Sequence, residues 1–337
     1  MNVLIWLAVL AAVCWVCFFL LPLKRINPRL AGRDPALERA LAAASRGRWE
    51  PVADLFRDTA GDWERRSLYA NRLGYRAARK GDAWLVAWQE ARPTDPDAAL
   101  LRAETTIRYA WKLRGARFAR HTSAKAFEGF HQVLFGARDD LARAASLAPE
   151  DPAPLVAEMW VALGLGYPNR DMRSLSEQVD ARAPYHFGAH ASALQYWCAK
   201  WRGTKGMART YAEKAAAGAP RGSLLTALPL IAWYEHEDGE VPDAAYRSTE
   251  VRRMVDAALA DVAEAGDHPR LPEVRHLLAH FLLKQGRYRE AVEQFRHVDG
   301  YSDALPWRYL PYGRLAYRAA RTRAARGAVL QRLRPRG

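Results

Sequence analysis

Two pairs of histidines have a spacing that could bind a metal ion. His186 and His190 are four residues apart, and so are His276 and His280. On an α-helix this spacing places both imidazoles on one face, which suits Zn²⁺. Neither pair belongs to an H-E-x-x-H motif, and the sequence therefore favours partly buried packing histidines over a metal site.

A cluster of acidic residues could carry acid/base chemistry or hold a cation. Residues 235–240 contain four carboxylates and one histidine. An EF-hand spreads its ligands over a longer loop with fixed spacing and a final Glu, and this cluster lacks that frame. We therefore expect a solvated loop that follows a helix.

The glycine-rich and nucleophile motifs of common enzymes are missing from the chain. It contains no G-x-S-x-G, no Walker-type lysine loop and no dinucleotide-binding glycine pattern. We predict neither enzymatic activity nor a cofactor, and we assign no catalytic or metal-binding residue. An enzyme of unfamiliar type stays open as an alternative, with a site around Arg114, His186, His190 and Trp201.

The three cysteines are too few for a disulfide framework. Cys14 and Cys17 have the spacing of a redox motif, but they lie in an apolar run where a thiolate would be costly. They are expected to act as small apolar side chains. Cys198 lies in the apolar stretch 193–201 and is expected in the core.

An uncharged run over residues 3–23 opens the chain, and basic residues follow it directly. At about 1.5 Å per residue, the run is roughly 30 Å long as a helix, which matches the hydrocarbon core of a bilayer. No Lys or Arg precedes the run and no A-x-A-like site follows it, which argues against a cleaved signal peptide. We predict a transmembrane anchor over residues 1–23 and a basic juxtamembrane linker over residues 24–33.

The basic flank also predicts the orientation of the anchor. Positive charge follows the run and does not precede it, so the positive-inside rule places the N-terminus outside and the remainder in the cytoplasm. The expected localisation is the cell membrane, with a single span.

The net charge of +14 is unevenly distributed along the chain. Residues 24–33 carry +4, residues 101–125 carry +6 and residues 304–337 carry +9, so the remainder sums to −5. A mildly acidic body with basic ends suits contact with an anionic leaflet, at about 1 kcal/mol per base near the surface. Nucleic acid is the less favoured alternative, because its phosphates attract the same bases.

The rest of the sequence predicts helical hairpins. It has no convincing stretch in which apolar and polar residues alternate, as they would in a β-strand. Gly, Pro and Asp-Pro interrupt its Ala- and Leu-rich segments. Residues 274–299 resemble a tetratricopeptide repeat, and five side chains carry the spacing: Ala279, Gly286, Tyr288, Ala291 and Phe295. The resemblance implies an α-solenoid of about six or seven helical pairs, which we place over residues 34–303.

A second resemblance covers residues 105–235. Its elements are Trp-x-x-Arg-Gly at 111–115, Phe-x-x-Phe at 127–130, Lys-Trp-Arg-Gly-Thr at 200–204 and Pro-Arg-Gly-Ser at 220–223. These elements resemble an uncharacterised bacterial family of helical repeats, in which the second Trp element reads K-W-G-G-S. Arg202 stands here for the first glycine of that element, and Thr204 for its serine. The resemblance implies a helical-repeat fold and no activity.

A basic amphipathic helix is predicted within the C-terminal tail, residues 304–337. Arg314, Arg318, Arg321 and Arg332 project to one side, while Leu315, Val329 and Leu333 gather on another. Together with Lys24 and Arg25, these arginines could contact an anionic surface. The alternative is a helix that caps the solenoid.

A second basic segment, residues 102–125, interleaves Tyr109, Trp111 and Phe118 with basic side chains. Aromatic and basic residues together are typical of single-stranded nucleic-acid sites. Because aromatic residues of helical repeats mostly point inward, a core-facing stripe with a basic outer face is the favoured interpretation.

Taken together, the sequence predicts an all-α protein with an N-terminal transmembrane helix and a tetratricopeptide-like α-solenoid of helical hairpins. Its expected function is that of a membrane-anchored scaffold or adaptor that binds a protein partner at the cytoplasmic face. Anionic-lipid binding, nucleic-acid binding and an unrecognised enzyme are the alternatives.

Overall fold

The computed structural model of the chain describes Trp6, residues 26–115 and residues 123–333. This part of the chain forms fifteen α-helices and three short 3₁₀ helices, and its isolated β-bridge joins Asn27 to Tyr301. The predicted all-α class is confirmed for these residues.

The predicted anchor falls on residues that are not described. Apart from Trp6, residues 1–23 lie outside the described part of the chain, and so do Lys24 and Arg25. Among the described residues, no helix combines the length and the apolar character that crossing a bilayer requires. The transmembrane helix stays a prediction from the sequence.

The fifteen α-helices of the described residues are numbered in their order along the chain. The first eight are α1 (Pro35–Ala44), α2 (Glu50–Arg57), α3 (Trp63–Lys80), α4 (Ala83–Ala91), α5 (Pro96–Arg114), α6 (Ala124–Leu147), α7 (Ala153–Leu165) and α8 (Asn169–Asp180). The other seven are α9 (Phe187–Trp197), α10 (Lys205–Ala217), α11 (Leu228–Glu237), α12 (Thr249–Glu264), α13 (Leu271–Gln285), α14 (Tyr288–His297) and α15 (Gly313–Leu333). The 3₁₀ helices are Leu225–Ala227, Asp243–Arg247 and Trp307–Tyr309.

The chain divides into two compact units. The central unit comprises residues 34–271. The terminal unit is built from both ends of the chain, and its described residues are 26–33 and 272–333.

Alternate helices of the central unit form a row. Helix α3 contacts α5, α5 contacts α7, α7 contacts α9, and α9 contacts α11. Helices α6, α8 and α10 each pack against both neighbours along the chain. Helices α5, α7 and α9 therefore each form a hairpin with the helix that follows, and α3 packs against α7 and α9 as well as α5.

Capping residues set the helix starts. The Asp34 side chain accepts a hydrogen bond from the Leu37 amide at 2.9 Å, and Asp95 accepts one from the Asp97 amide at 2.9 Å. A proline follows each of these two caps and supplies the backbone angle of the first helical residue. Helix α7 ends at Gly166, whose φ of 69° lies in the left-handed region that favours glycine.

A cluster of buried apolar residues lies where α5, α6 and α7 meet. Fully buried apolar side chains from all three helices pack there, among them Ile107, Phe130, Leu134 and Val161. This packing fixes the C-terminal half of α5 against its neighbours.

In the terminal unit, α13 and α14 form the helical hairpin that the repeat spacing predicts for residues 274–299. Ala279 and Ala291 are fully buried, and Phe295 is 1% exposed. Gly286 has a φ of 76° in the turn between the helices. Tyr288 lies against α15, because a Cβ atom on Gly327 would come within 2.5 Å of three atoms of its ring.

The segment that follows the predicted anchor belongs to the terminal unit. The Asn27 amide donates a hydrogen bond to the Gly300 carbonyl at 2.7 Å, and the Ser302 amide donates one to the Asn27 carbonyl at 3.1 Å. Residues 26–33 are thus attached by backbone hydrogen bonds to the loop between α14 and α15.

Gly74 of α3 lies close to a neighbouring helix, whereas Gly136 of α6 does not. At Gly74 in α3, an added Cβ would lie 2.9 Å from the backbone carbon of Glu104 in α5, whereas nothing lies within 4 Å of such an atom at Gly136 in α6. Gly74→Ala should lower the free energy of unfolding by about 1 to 3 kcal/mol through overpacking. Gly136→Ala should raise it by roughly 0.5 to 1 kcal/mol, because alanine favours the helix. Thermal unfolding of the two variants checks this, and a shift in the same direction for both would contradict the α3–α5 contact.

Candidate functional site

The last turns of α5 carry Arg108, Trp111 and Arg114 at intervals of three residues. This spacing brings the three side chains onto one stripe of the helix. Three aromatic side chains from elsewhere in the central unit join them: Phe127 of α6, Trp160 of α7 and Trp201 of the loop between α9 and α10. We call these six residues the Trp–Arg cluster.

Trp111 is the aromatic centre of the Trp–Arg cluster. Its ring meets the ring of Trp160 edge to face at 5.9 Å between centroids, and that of Trp201 at 5.6 Å. It also contacts Phe130 of the core at 5.0 Å. Edge-to-face pairs of this kind stabilise beyond simple area burial, so Trp111 holds the cluster against the core.

Guanidinium groups lie on these rings. The Cζ atom of Arg114 is 5.1 Å from the ring centroid of Trp201, 5.5 Å from that of Trp111 and 5.9 Å from that of Phe127. Arg108 lies 5.1 Å from the Trp160 centroid. Burial lowers the pKa of Arg114 from its ordinary value, and the group stays cationic at neutral pH.

The Trp–Arg cluster is partly exposed. Five of its six side chains are half-buried, whereas Arg108, which pairs with Glu104, is only 11% exposed. Tyr109 and Leu113 beside the cluster on α5 are 43% and 37% exposed. The prediction that the aromatic residues of this segment face the core is therefore wrong for Tyr109. Its ring is exposed to solvent, and the Lys112 ammonium lies over it at 5.7 Å from the ring centroid. Phe118 lies outside the described residues.

Two elements of the second resemblance meet in this cluster. Trp111 and Arg114 belong to the Trp-x-x-Arg-Gly element, and Trp201 belongs to the Lys-Trp-Arg-Gly-Thr element, ninety positions further along the chain. The other residues of the second element stabilise the structure around Trp201. Lys200 pairs with Glu235 at 2.5 Å, and the side chain of Thr204 caps α10.

Arg202 and Gly203 also stabilise the structure around Trp201. Arg202 Nη2 donates to the Gly166 carbonyl at 3.2 Å, at the end of α7. A Cβ atom at Gly203 would lie 1.9 Å from the Trp197 carbonyl oxygen, so the loop passes α9 too closely for any other residue. Trp201 is thereby presented to Trp111 by a tightly fixed loop.

The four residues of the enzyme alternative do not form one site. Arg114 and Trp201 lie in the Trp–Arg cluster, but His186 and His190 have other partners. His190 Nδ1 is 2.9 Å from the Tyr211 hydroxyl, and its Nε2 is 2.8 Å from the Pro184 carbonyl oxygen.

His186 stands between Ser67 and Glu64 in an order that resembles a catalytic triad. Nε2 is 3.0 Å from Ser67 Oγ, and Nδ1 is 3.2 Å from Glu64 Oε2. However, Nδ1 accepts a hydrogen bond from the Ala189 amide at 3.0 Å as the cap of α9, so Nε2 carries the proton and faces the Trp63 carbonyl at 3.2 Å. A general base needs the opposite arrangement, in which Nε2 accepts the serine proton. The arrangement therefore serves packing.

The histidines of the second pair, His276 and His280, also contact other residues of the protein. His276 Nε2 donates to the Ala31 carbonyl at 2.8 Å, and Nδ1 accepts from Trp307 Nε1 at 3.0 Å. The ring of His280 meets that of Trp307 edge to face. Within residues 26–115 and 123–333, no group of three or more potential ligands could hold a metal ion.

The prediction of a solvated loop over residues 235–240 is partly wrong. Glu235 and Glu237 belong to the last turn of α11, and the side chain of Glu235 is only 3% exposed. It is stable there because Lys200 pairs with it and Gln195 donates a hydrogen bond to it at 2.7 Å. Glu237 forms an ion pair with Lys205, so these two carboxylates join α11 to the preceding elements.

Two further predictions concern Cys198 and the arginines of the C-terminal tail. Cys198 is fully buried, as predicted, and its thiol is free. Of the tail arginines, Arg314 and Arg332 are exposed, Arg318 is half-buried, and Arg321 pairs with Asp299 at 3.2 Å.

No protein-family profile, curated protein or solved structure matches this chain. The tetratricopeptide resemblance and the resemblance over residues 105–235 stay predictions.

Glu64 and Asp267 offer a matched test of buried against exposed ion pairs. Glu64 Oε1 accepts from Arg270 at 2.7 Å and from the Gly188 amide at 2.9 Å, and its side chain is 10% exposed. Asp267 pairs with Arg65, but its side chain is 99% exposed. Glu64→Gln should lower Tm by about 6 °C or more, because it breaks a buried pair worth roughly 3 kcal/mol. Asp267→Asn should change Tm by about 1 °C or less. Equal shifts in thermal unfolding would refute the role of Glu64.

His276 should make the terminal unit sensitive to acid. Burial lowers its pKa from 6.5 to about 4, so the unfolded chain binds this proton more readily than the folded one. Stability from this group is complete above pH 6.5 and is lost as pH falls towards 4. Between pH 7 and pH 5 the loss should be about 2 kcal/mol.

The measurement is denaturant unfolding at both pH values. His276→Gln should show a smaller acid loss than the wild type, and the control His131→Gln, which changes an exposed side chain, should match the wild type. An acid loss unchanged in His276→Gln would assign the effect to other groups.

Proposed function

We propose that this protein is a membrane-anchored, tetratricopeptide-like adaptor whose central unit binds a protein partner through the Trp–Arg cluster. The apolar run over residues 3–23 and the basic residues behind it support the anchor and a cytoplasmic location for both units.

The stacking of hairpins supports the repeat part of the proposal. In a helical-repeat solenoid each repeat packs against its neighbours along the chain. The hairpins that begin with α5, α7 and α9 pack in this way, since α5 contacts α7 and α7 contacts α9. In the terminal unit, the small residues Ala279 and Ala291 are buried, and Gly286 occupies the turn of the hairpin that they belong to. Such repeats commonly use their extended surfaces to bind other proteins.

The observation that carries the binding proposal is the composition and exposure of the Trp–Arg cluster. Tryptophan, tyrosine and arginine are the residues that contribute most to protein interfaces. Here Trp111, Trp201 and Arg114 form one half-buried group, with exposed Tyr109 beside them. The core and the fixed 200–204 loop hold the aromatic side chains in place, so binding would cost little side-chain entropy.

Local charge favours an acidic partner. The cationic Arg114 belongs to the cluster, and Lys112 is exposed beside it. A partner segment with carboxylates and an apolar side chain would match both properties of the site.

A photo-crosslinker in place of Tyr109 tests the site in the full-length protein in its own membranes. We expect one recurrent protein adduct from Tyr109 and none from the same crosslinker at Tyr75, which is exposed elsewhere on the central unit. Arg114→Glu should weaken this binding by roughly 30-fold or more, because loss of an interface hot spot costs about 2 kcal/mol or more.

Arg79→Glu is the matched control, because Arg79 also lies on an aromatic ring, that of Tyr75, at 4.6 Å. It should leave the adduct unchanged, and thermal unfolding establishes that both variants fold. An adduct that survives Arg114→Glu, or an adduct with nucleic acid in place of protein, would overturn the proposal.

A further inference from the structure

Helix α15 packs on the terminal unit along one side only. Tyr317 and Ala324, seven residues apart, are its buried side chains. The Tyr317 hydroxyl donates to the Val298 carbonyl at 3.2 Å, and Gly327 lies against the ring of Tyr288. The packed side thus runs the length of the helix.

The opposite side of α15 exposes large apolar side chains. Leu315, Val329, Leu330 and Leu333 are 60%, 55%, 62% and 73% exposed. At 100° per residue these four fall on the side of the helix away from Tyr317, where Thr322 and Arg326 also lie, between Leu315 and the other three. The exposed apolar side chains concentrated at the C-terminal end of this stripe mark a contact site.

Arginines border this apolar stripe. Helix α15 contains six arginines and no acidic residue. Arg314 and Arg332 lie on one flank of the stripe and Arg323 on the other, and all three are exposed. An apolar stripe between basic flanks is the pattern of helices that lie in a membrane interface.

The terminal unit also contains the segment next to the predicted anchor. Asn27 is four residues beyond the end of the apolar run at Leu23, and its backbone is hydrogen bonded to Gly300 and Ser302. Four residues span at most about 14 Å. The terminal unit, which includes α15, is therefore held near the membrane surface.

We infer that α15 docks on the anionic lipid of the cytoplasmic leaflet, with Leu330 and its apolar neighbours in the interface and Arg314, Arg323 and Arg332 on lipid phosphates. The inference rests on the anchor of the proposed function for the position of the terminal unit. The anionic leaflet attracts the arginines, and the leucines select a bilayer over a soluble polyanion, which offers no apolar layer.

A spin label on full-length protein in lipid nanodiscs tests this docking. Leu330→Cys carries the label, and Glu293→Cys on α14, also exposed, is the control position. Cys14 and Cys17 are replaced by alanine, while Cys198 can stay because it is fully buried and its thiol pKa is raised to about 12. The nanodiscs contain phosphatidylcholine with or without phosphatidylglycerol.

In the anionic nanodiscs we expect the label at position 330 to gain contact with oxygen, which partitions into lipid, and to lose contact with a water-soluble nickel chelate. The label at position 293 should stay in water. The triple variant Arg314→Glu, Arg323→Glu and Arg332→Glu should return the label at position 330 to water. A matched triple variant with the same change in net charge should not: Arg46→Glu, Arg48→Glu and Arg253→Glu, all at exposed sites of the central unit.

A label at position 330 that stays in water in anionic nanodiscs would overturn the inference, and so would equal effects of the two triple variants. Carbonate extraction of native membranes tests the anchor separately. Extraction of the wild-type chain would refute the anchor, whereas resistance to extraction with a water-exposed label would refute only the docking of α15.

Discussion

Four consecutive side chains at the start of α3, residues 64–67, join distant segments of the central unit. Arg66 is buried among them, and its guanidinium binds Asp97 and Asp151 at 2.5 Å each. A buried guanidinium that lacks its carboxylates is strongly destabilising, so Arg66 requires α3 to lie between these two residues. Asp97 is in the first turn of α5, and the other oxygen of Asp151 accepts from the amide of Ala153, the first residue of α7.

The Trp–Arg cluster depends on this arrangement. Arg66 fixes the first turns of α5 and α7 relative to each other. The two helices then pack together, and Trp111 and Trp160, which lie in their C-terminal halves, come into contact. On the same turn of α3, Glu64 accepts from the Gly188 amide in the first turn of α9, and the loop after α9 carries Trp201. The cluster thus joins three segments whose positions derive from one turn of α3.

Local signals were sufficient to predict the all-α class and the α13–α14 hairpin, because helix periodicity and the turn at Gly286 act over short sequence distances. The Trp–Arg cluster could not be predicted in this way. Trp111 and Trp201 are ninety residues apart, and their contact depends on which helices pack together. The burial of Glu235 could not be predicted for the same reason. A carboxylate is buried where a cation pairs with it, and the partner of Glu235 is Lys200, which lies 35 residues earlier in the chain.

The terminal unit also depends on contacts between residues that are far apart in sequence, and these contacts bring two basic segments together. Residues 24–33 and 304–337 carry +4 and +9 at opposite ends of the sequence, yet the hydrogen bonds between Asn27 and the 300–302 loop place their described parts in one folded unit. Two basic segments in one unit raise the local positive potential above that of either alone. With a single span, the unit would rotate freely about the membrane normal and tilt. In the proposed arrangement, a second contact with the membrane through α15, a helix of 21 residues, would limit the tilt of the terminal unit.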